Sequence, residues 1–311
     1  MKILIEMPTW LGDAVMATPA IENLISQLDS PEIIFIGSQV AIDLMKVHPN
    51  RQRSYLLKKS YVDLYRLSRS IGYVDLFISF RGSFRSKFLS CIIKSKEKFQ
   101  FNKNKYKSIH QVEKYVKFIN NIINLDLDPG HLVIYDLNRS LFEGKGIIGI
   151  NPGAMYGSAK MWSIDKYSEV ALSLSKTHKI IILGGEAEIE ISKKIENVLI
   201  LNNAKNFINL AGKTSIQDLL GIIKSLSFLI TGDSGPMHIA AAYKIPTLTI
   251  FGPTKINETC QWKNDVSINF TKNLDCQPCM QRECPLGHHD CMNLISTQEV
   301  INEVDMFLTN D

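Results

Sequence analysis

A carboxylate placed between a strand and a helix is a candidate general base, and Asp13 in Trp10-Leu11-Gly12-Asp13-Ala14 follows an opening apolar run in that way. As a base it would take the proton of an acceptor hydroxyl, a contribution of about 10²–10⁴ in rate. Asp also caps helix starts, and Thr18 before Pro19 is a rival start with proline at the first helical position. On the residues alone, catalysis and capping stand level.

Two segments suit a phosphate. The first is Asn151-Pro152-Gly153-Ala154-Met155-Tyr156-Gly157-Ser158-Ala159-Lys160-Met161-Trp162. Its glycines and small side chains would let backbone amides approach an anion, and Lys160 would supply a point charge. It lacks the Gly-Lys-Ser/Thr ending of a P-loop, which argues against hydrolysis of a nucleoside triphosphate. A plain loop with Lys160 in solvent is the alternative. The second, Thr231-Gly232-Asp233-Ser234-Gly235-Pro236-Met237-His238, reads as a strand end, a tight turn and a helix start. Amides and the helix dipole there favour a pyrophosphate; otherwise Asp233 or Ser234 caps the helix and His238 packs in the core. Glu186, after Gly184-Gly185 at another strand end, is placed to accept ribose hydroxyls.

The chain also carries Cys276-x2-Cys279-x4-Cys284-x6-Cys291, with His288 and His289 between the last two cysteines. Such clustering permits a zinc site or disulfides, but the spacing is not that of the standard zinc modules. With no secretory signal at the amino terminus, reduced thiols are the expectation. Cys91 and Cys260 are expected to pack as small apolar residues.

These residues need a scaffold, and short β-branched runs alternating with amphipathic stretches supply one. Lys2 to Met7, Ile33 to Gly37 and Val74 to Phe80 read as strands; Ala17 to Leu28, Val40 to Val47 and Ser60 to Ile71 read as helices. The pattern restarts with strands at Gly146 to Asn151, Lys179 to Gly184, Asn206 to Leu210, Phe228 to Thr231 and Thr247 to Phe251. Helices at 164–177, 187–196, 215–225 and 235–243 separate them. Alternation of this kind predicts α/β architecture with parallel sheets. Residues 125–145, with Pro129-Gly130, form the linker, giving domains of 1–140 and 141–311. Two doubly wound, Rossmann-like sheets facing a central cleft would bind ligands at the carboxyl ends of their strands.

The 311 residues, 45% hydrophobic and 21% charged, exclude disordered and fibrous classes. No apolar run approaches the roughly 20 residues of a membrane span, and a cytoplasmic enzyme is the expectation. The net charge of +4 is uneven: 20 basic against 13 acidic residues before position 140, and 15 against 18 after it. Lys94, Lys96, Lys98, Lys103, Lys105, Lys107, Lys114 and Lys117 form a basic tract. It reads as a solvated face, or as a surface for an anionic glycolipid or membrane. No aromatic-interleaved basic motif or zinc-finger spacing points to nucleic acid.

Taken together, the segments Trp10 to Ala20, Pro152-Gly153-Ala154 to Trp162, Asp233 to His238 and Phe251-Gly252-Pro253-Thr254 resemble the bacterial lipopolysaccharide heptosyltransferases. These are inverting enzymes of glycosyltransferase family 9 with GT-B architecture. The stretch Cys284 to Met292 is similar to the type II members. The resemblance implies transfer of L-glycero-D-manno-heptose from ADP-heptose to the first heptose of a core oligosaccharide, with no metal cofactor. The alternatives are another core position, or an epimerase or hydrolase of nucleotide sugars on the same scaffold. In the family's pattern Asp13 is the base, and Lys160 with the amides around Ser234 and Gly235 stabilises the departing ADP. Glu186 and Asp233 match positions holding ribose and heptose hydroxyls, and His238 one near the diphosphate. Trp10, Arg81 and Arg85 match the acceptor side, where an anionic lipid A-core would bind at the inner membrane surface. Arg81 stands where commoner members have a neutral residue.

Overall fold

The computed structural model describes residues 1–137, 140–153 and 157–309. Two compact units, Met1–Leu137 and Asn138–Asp311, divide the chain. Each is built on an all-parallel sheet with helices in the connections, as the alternating pattern requires.

The first unit runs β1 (Lys2–Glu6), α1 (Leu11–Met16), α2 (Thr18–Ser26), β2 (Glu32–Gly37), α3 (Gln39–Leu44) and β3 (Arg51–Leu56). It continues with α4 (Tyr61–Ile71), β4 (Tyr73–Ser79), α5 (Phe84–Ile92), β5 (Lys94–Gln100) and α6 (Gln111–Ile123). The spatial order is β3-β2-β1-β4-β5. Ile3, Leu4 and Ile5 of central β1 are fully buried, which explains why that strand reads as an unbroken apolar run. The order reverses between β1 and β4, whose last residues Glu6 and Ser79 lie side by side.

Neither Asp13 nor Thr18 holds a cap position. α2 begins at Thr18 with Pro19 in its first turn, while α1 begins one residue after Trp10, which holds the cap position without a side-chain cap bond. Asp13 is therefore not the cap; it lies within the first turn of α1, where a carboxylate complements the helix dipole.

The edge strands β3 and β5 were not legible, because an edge strand keeps polar residues on solvent. The basic tract lies on solvent except at Lys114. Its first part is β5, where Lys94, Lys96 and Lys98 alternate along the strand and are exposed. Lys114, counted in the same tract, is buried on α6. Cys91, expected to be packed, is exposed, because α5 turns Ser86 and Leu89 inward and leaves position 91 outside that stripe.

The second unit runs β6 (Ile147–Asn151), α7 (Ile164–Leu174), β7 (Lys179–Ile182), α8 (Ile189–Leu201), β8 (Phe207–Asn209) and α9 (Ile216–Lys224). There follow β9 (Phe228–Gly232), α10 (Gly235–Ala242), β10 (Thr247–Ile250), α11 (Ile256–Thr259), β11 (Ser267–Phe270), α12 (Asp290–Asn293) and α13 (Thr297–Thr309). Its strand order, β11-β10-β9-β6-β7-β8, is that of a dinucleotide-binding sheet, reversing between β6 and β9. Trp162 anchors this core: its ring is buried edge-on to Tyr167 at 4.9 Å, and its indole N–H donates to the Ile295 carbonyl at 3.1 Å. Among the described residues no helix is long and apolar enough to cross a membrane.

Candidate functional site

In the first unit the polar groups gather where the sheet order reverses. Glu6, at the end of β1, is 1% exposed and accepts hydrogen bonds from the hydroxyls of Ser79 (2.6 Å) and Ser86 (2.8 Å). Arg81 faces the same carboxylate at 3.5 Å. Burial pushes the Glu6 carboxyl above its usual value, against the opposing pull of Ser79, Arg81, Ser86 and Arg85. Arg85 donates to the Lys58 carbonyl. Both arginines named as acceptor contacts are thus tied to the first unit's own framework. Trp10 is 51% exposed, an unusual state for so large an apolar ring.

Asp13 is half-buried on α1 and hydrogen-bonded to Tyr115 of α6. Tyr115 is 3% exposed, with ring contacts to Phe80 at 5.2 Å and Phe101 at 4.9 Å. Burial and then the negative charge of Asp13 push its phenol well above the usual value, so it remains a hydrogen-bond donor. Gln111 donates to the same phenol oxygen from one helical turn earlier. Tyr115 has no motif around it and reads simply as part of the apolar stripe of α6.

In the second unit the structure brings Lys160, Asp233 and Ser234 together at the carboxyl ends of β6 and β9. Lys160 ends a short 3₁₀ turn, Ser158–Lys160, and its ammonium lies 2.6 Å from Asp233 Oδ2. Asp233 Oδ2 also accepts the Thr254 hydroxyl at 2.7 Å. Side-chain exposures of 12% for Lys160 and 7% for Asp233 place this ion pair largely out of water. Lys160 is therefore not the solvated lysine of a plain loop. Ser234 occupies the cap position of α10 without capping it; its hydroxyl instead meets Asn151 Nδ2 at 3.2 Å and the Thr231 hydroxyl at 3.0 Å. Asn151 thus ties the end of β6 to the start of α10. Gly235 and Met237 carry the N–H groups of that first turn, for which a helix supplies no acceptor, while Pro236 has none. His238 follows on the same helix and is buried.

Packing also bears on two glycines of the first phosphate segment. Gly153 serves packing: a Cβ there would stand 2.1 Å from Cγ of Glu188, a buried residue that accepts the Gly185 amide at 2.8 Å. Gly157 likewise faces the Arg282 backbone, whose carbonyl oxygen a Cβ would approach to 2.3 Å. Ala154, Met155 and Tyr156 of this segment lie outside the described residues. Glu186 is exposed at the start of the 3₁₀ turn Glu186–Glu188, beyond β7 and one strand further from the reversal. Asn151 and Thr254 stand within quoted motifs but carried no role there, and Glu188 falls in the helix expected at 187–196, where it reads as an ordinary helical acid.

Comparison with known proteins agrees with this geometry. Residues 64–289 match the glycosyltransferase family 9 (heptosyltransferase) domain. The chain is 41% identical to lipooligosaccharide heptosyltransferase 2 of Campylobacter jejuni, covering 100% of this chain and 99% of that one. It is 24% identical to lipooligosaccharide heptosyltransferase 2 of Haemophilus ducreyi, covering 99% of each. Its fold is similar to the solved ADP-heptose lps heptosyltransferase II of E. coli, with a TM-score of 0.83, 21% identity and coverage of 100% and 99%. The fold is GT-B, with two parallel-sheet α/β units, as the alternation and the resemblance implied. With its motifs in order along the chain and a full-length relative at 41% identity, the chain belongs to glycosyltransferase family 9, the heptosyltransferases, and is a transferase.

Proposed function

We propose that the protein transfers L-glycero-D-manno-heptose from ADP-heptose to the first heptose of a lipopolysaccharide or lipooligosaccharide inner core, inverting the anomeric configuration. The observation that carries this reading is the gathering of Lys160, Asp233 and Ser234 at the start of α10, where the sheet order reverses. A diphosphate there meets a cation, helix amides and the positive end of a helix dipole together. The names of the relatives, lipooligosaccharide heptosyltransferase 2 and ADP-heptose lps heptosyltransferase II, support the acceptor and donor classes.

In the reaction, Asp13 takes the proton of the acceptor hydroxyl, whose oxygen attacks the anomeric carbon opposite the diphosphate. The bond to the diphosphate breaks, and ADP leaves with the electron pair. Charge develops on the leaving group, so its stabilisation is the larger electrostatic demand. Lys160 turns from Asp233 to the diphosphate, and the amides of Gly235 and Met237 complete the cradle, with His238 beside it. Asp233, released, accepts heptose hydroxyls, and Glu186 accepts those of the ribose. These groups supply the positive charge themselves, and the reaction calls for no metal. Trp10, Arg81 and Arg85 serve the anionic lipid A-core acceptor. The enzyme works in the cytoplasm, in peripheral contact with the inner membrane that holds this acceptor, and nucleic acid has no part in it.

The test is incubation with ADP-heptose and truncated cores carrying zero, one or two heptoses. The expected result is a mass gain of one heptose on the one-heptose core alone. Gain on a different core would reassign the position, and ADP release at equal rate with and without acceptor would indicate a hydrolase.

A further inference from the structure

Between β11 and α12 the chain runs from Thr271 to His289 without a helix or strand. Structureless stretches of this length are uncommon in compact domains and need some other source of order. Part of that order is visible at the turn bearing Lys160. The Ala159 amide donates to the Arg282 carbonyl at 3.0 Å, and His289 Nε2 donates to the Ala159 carbonyl at 2.8 Å. Gln277 Nε2 donates to the Gly252 carbonyl at 2.8 Å. These few bonds involve mostly solvent-facing chain and leave the segment's cysteines unexplained.

Cys276, Cys279, Cys284 and Cys291 line one cavity of about 20 Å³, together with His288 and His289. None of the four is in a disulfide. Cys291 is buried and the other three are half-buried. The Gly287 amide donates to the Cys284 carbonyl at 3.3 Å, closing a turn just before the two histidines. Gly287, at φ 74°, gives the turn the left-handed residue it needs.

We infer that Cys276, Cys279, Cys284 and Cys291 form a tetrahedral four-sulfur site for one soft divalent ion, zinc or ferrous iron, which fastens residues 271–289 against the turn carrying Lys160. Four sulfurs without oxygen donors select that class of ion. Among the described residues no three such donors are gathered tightly enough to hold an ion as they stand. Loading therefore draws the sulfurs from the cavity wall towards its centre, to about 2.3 Å from the metal, and releases the protons of the thiols that still carry them. The site is structural and independent of the sugar chemistry.

The test uses the full-length protein purified under reducing conditions without chelator, with zinc and iron measured separately. The expected result is one ion per chain, with four of the six cysteines slow to react with a thiol reagent until a chelator is added. Cobalt(II) exchanged into the site should show the sulfur-to-metal absorption of a tetrahedral thiolate centre, a readout that needs no variant. Cys91→Ser should keep the full metal content, whereas Cys276→Ser with Cys279→Ser should lose it. Metal below a tenth of an ion per chain after reconstitution with either ion, or four thiols reacting equally fast with and without metal, would overturn the site. So would full retention of metal by the double variant.

Discussion

The hydroxyl of Tyr115 donates a hydrogen bond to the carboxylate of Asp13, joining α6 to the first turn of α1. A donor of this kind stabilises the charged carboxylate and fixes its direction. Tyr115→Phe keeps the buried ring and removes the donor. The expected outcome is a folded enzyme destabilised by about 1 kcal/mol, with lower kcat and unchanged donor KM. The acid limb of its pH–rate profile should move to higher pH, a shift that a merely structural tyrosine would not produce.

Asp13→Asn keeps the shape and removes the carboxylate proposed as the base. Turnover should fall by about 10²–10⁴, while ADP-heptose binding, followed by calorimetry, stays within twofold. Turnover near that of the unaltered enzyme would remove Asp13 from the mechanism.

Lys160 and Asp233 make a largely buried ion pair that the proposed mechanism opens. Lys160→Ala leaves a buried carboxylate without its cation and should destabilise the second unit by about 3–5 kcal/mol. Adding Asp233→Asn should recover much of that stability in urea titrations and none of the activity. Recovery of both would mean that the pair acts only as a structural tie.

The Glu6 carboxyl is held above its usual value by burial. Between the unfolded value and the raised folded one, the native state binds more protons than the unfolded chain. Stability should therefore fall as pH rises through that window and level off above it. Glu6→Gln removes this titration. The stability of the variant relative to the unaltered protein should rise with pH over the same window, read from urea midpoints between about pH 4 and pH 8.

The central strands were legible because they are buried on both faces, which leaves runs such as Ile3-Leu4-Ile5 with no polar member. The start of α10 was legible because a proline and small residues follow a strand end there. The edge strands β3 and β5 were not, since half their surface meets water and their residues resemble loop. Tyr115, Thr254 and Asn151 were hidden for another reason. Each gains its importance from a partner far along the chain, Asp13, Asp233 and Ser234 respectively, and no local pattern encodes such a meeting. Gly153 carries a packing demand that its neighbours in sequence do not announce, since a Cβ there would meet Glu188.

The two outer strands of the first sheet bear their cations at alternate positions, Arg51 and Arg53 on β3, and Lys94, Lys96 and Lys98 on β5. A second copy adding its own edge would bring rows of like charge to about 4.8 Å, the spacing of paired strands. The unit thus resists polymerising through its own hydrogen-bonding edges, a hazard of any open sheet. Neutralising the three β5 lysines together would turn that edge into a template for fibrous aggregation, however well the enzyme still handled its sugar.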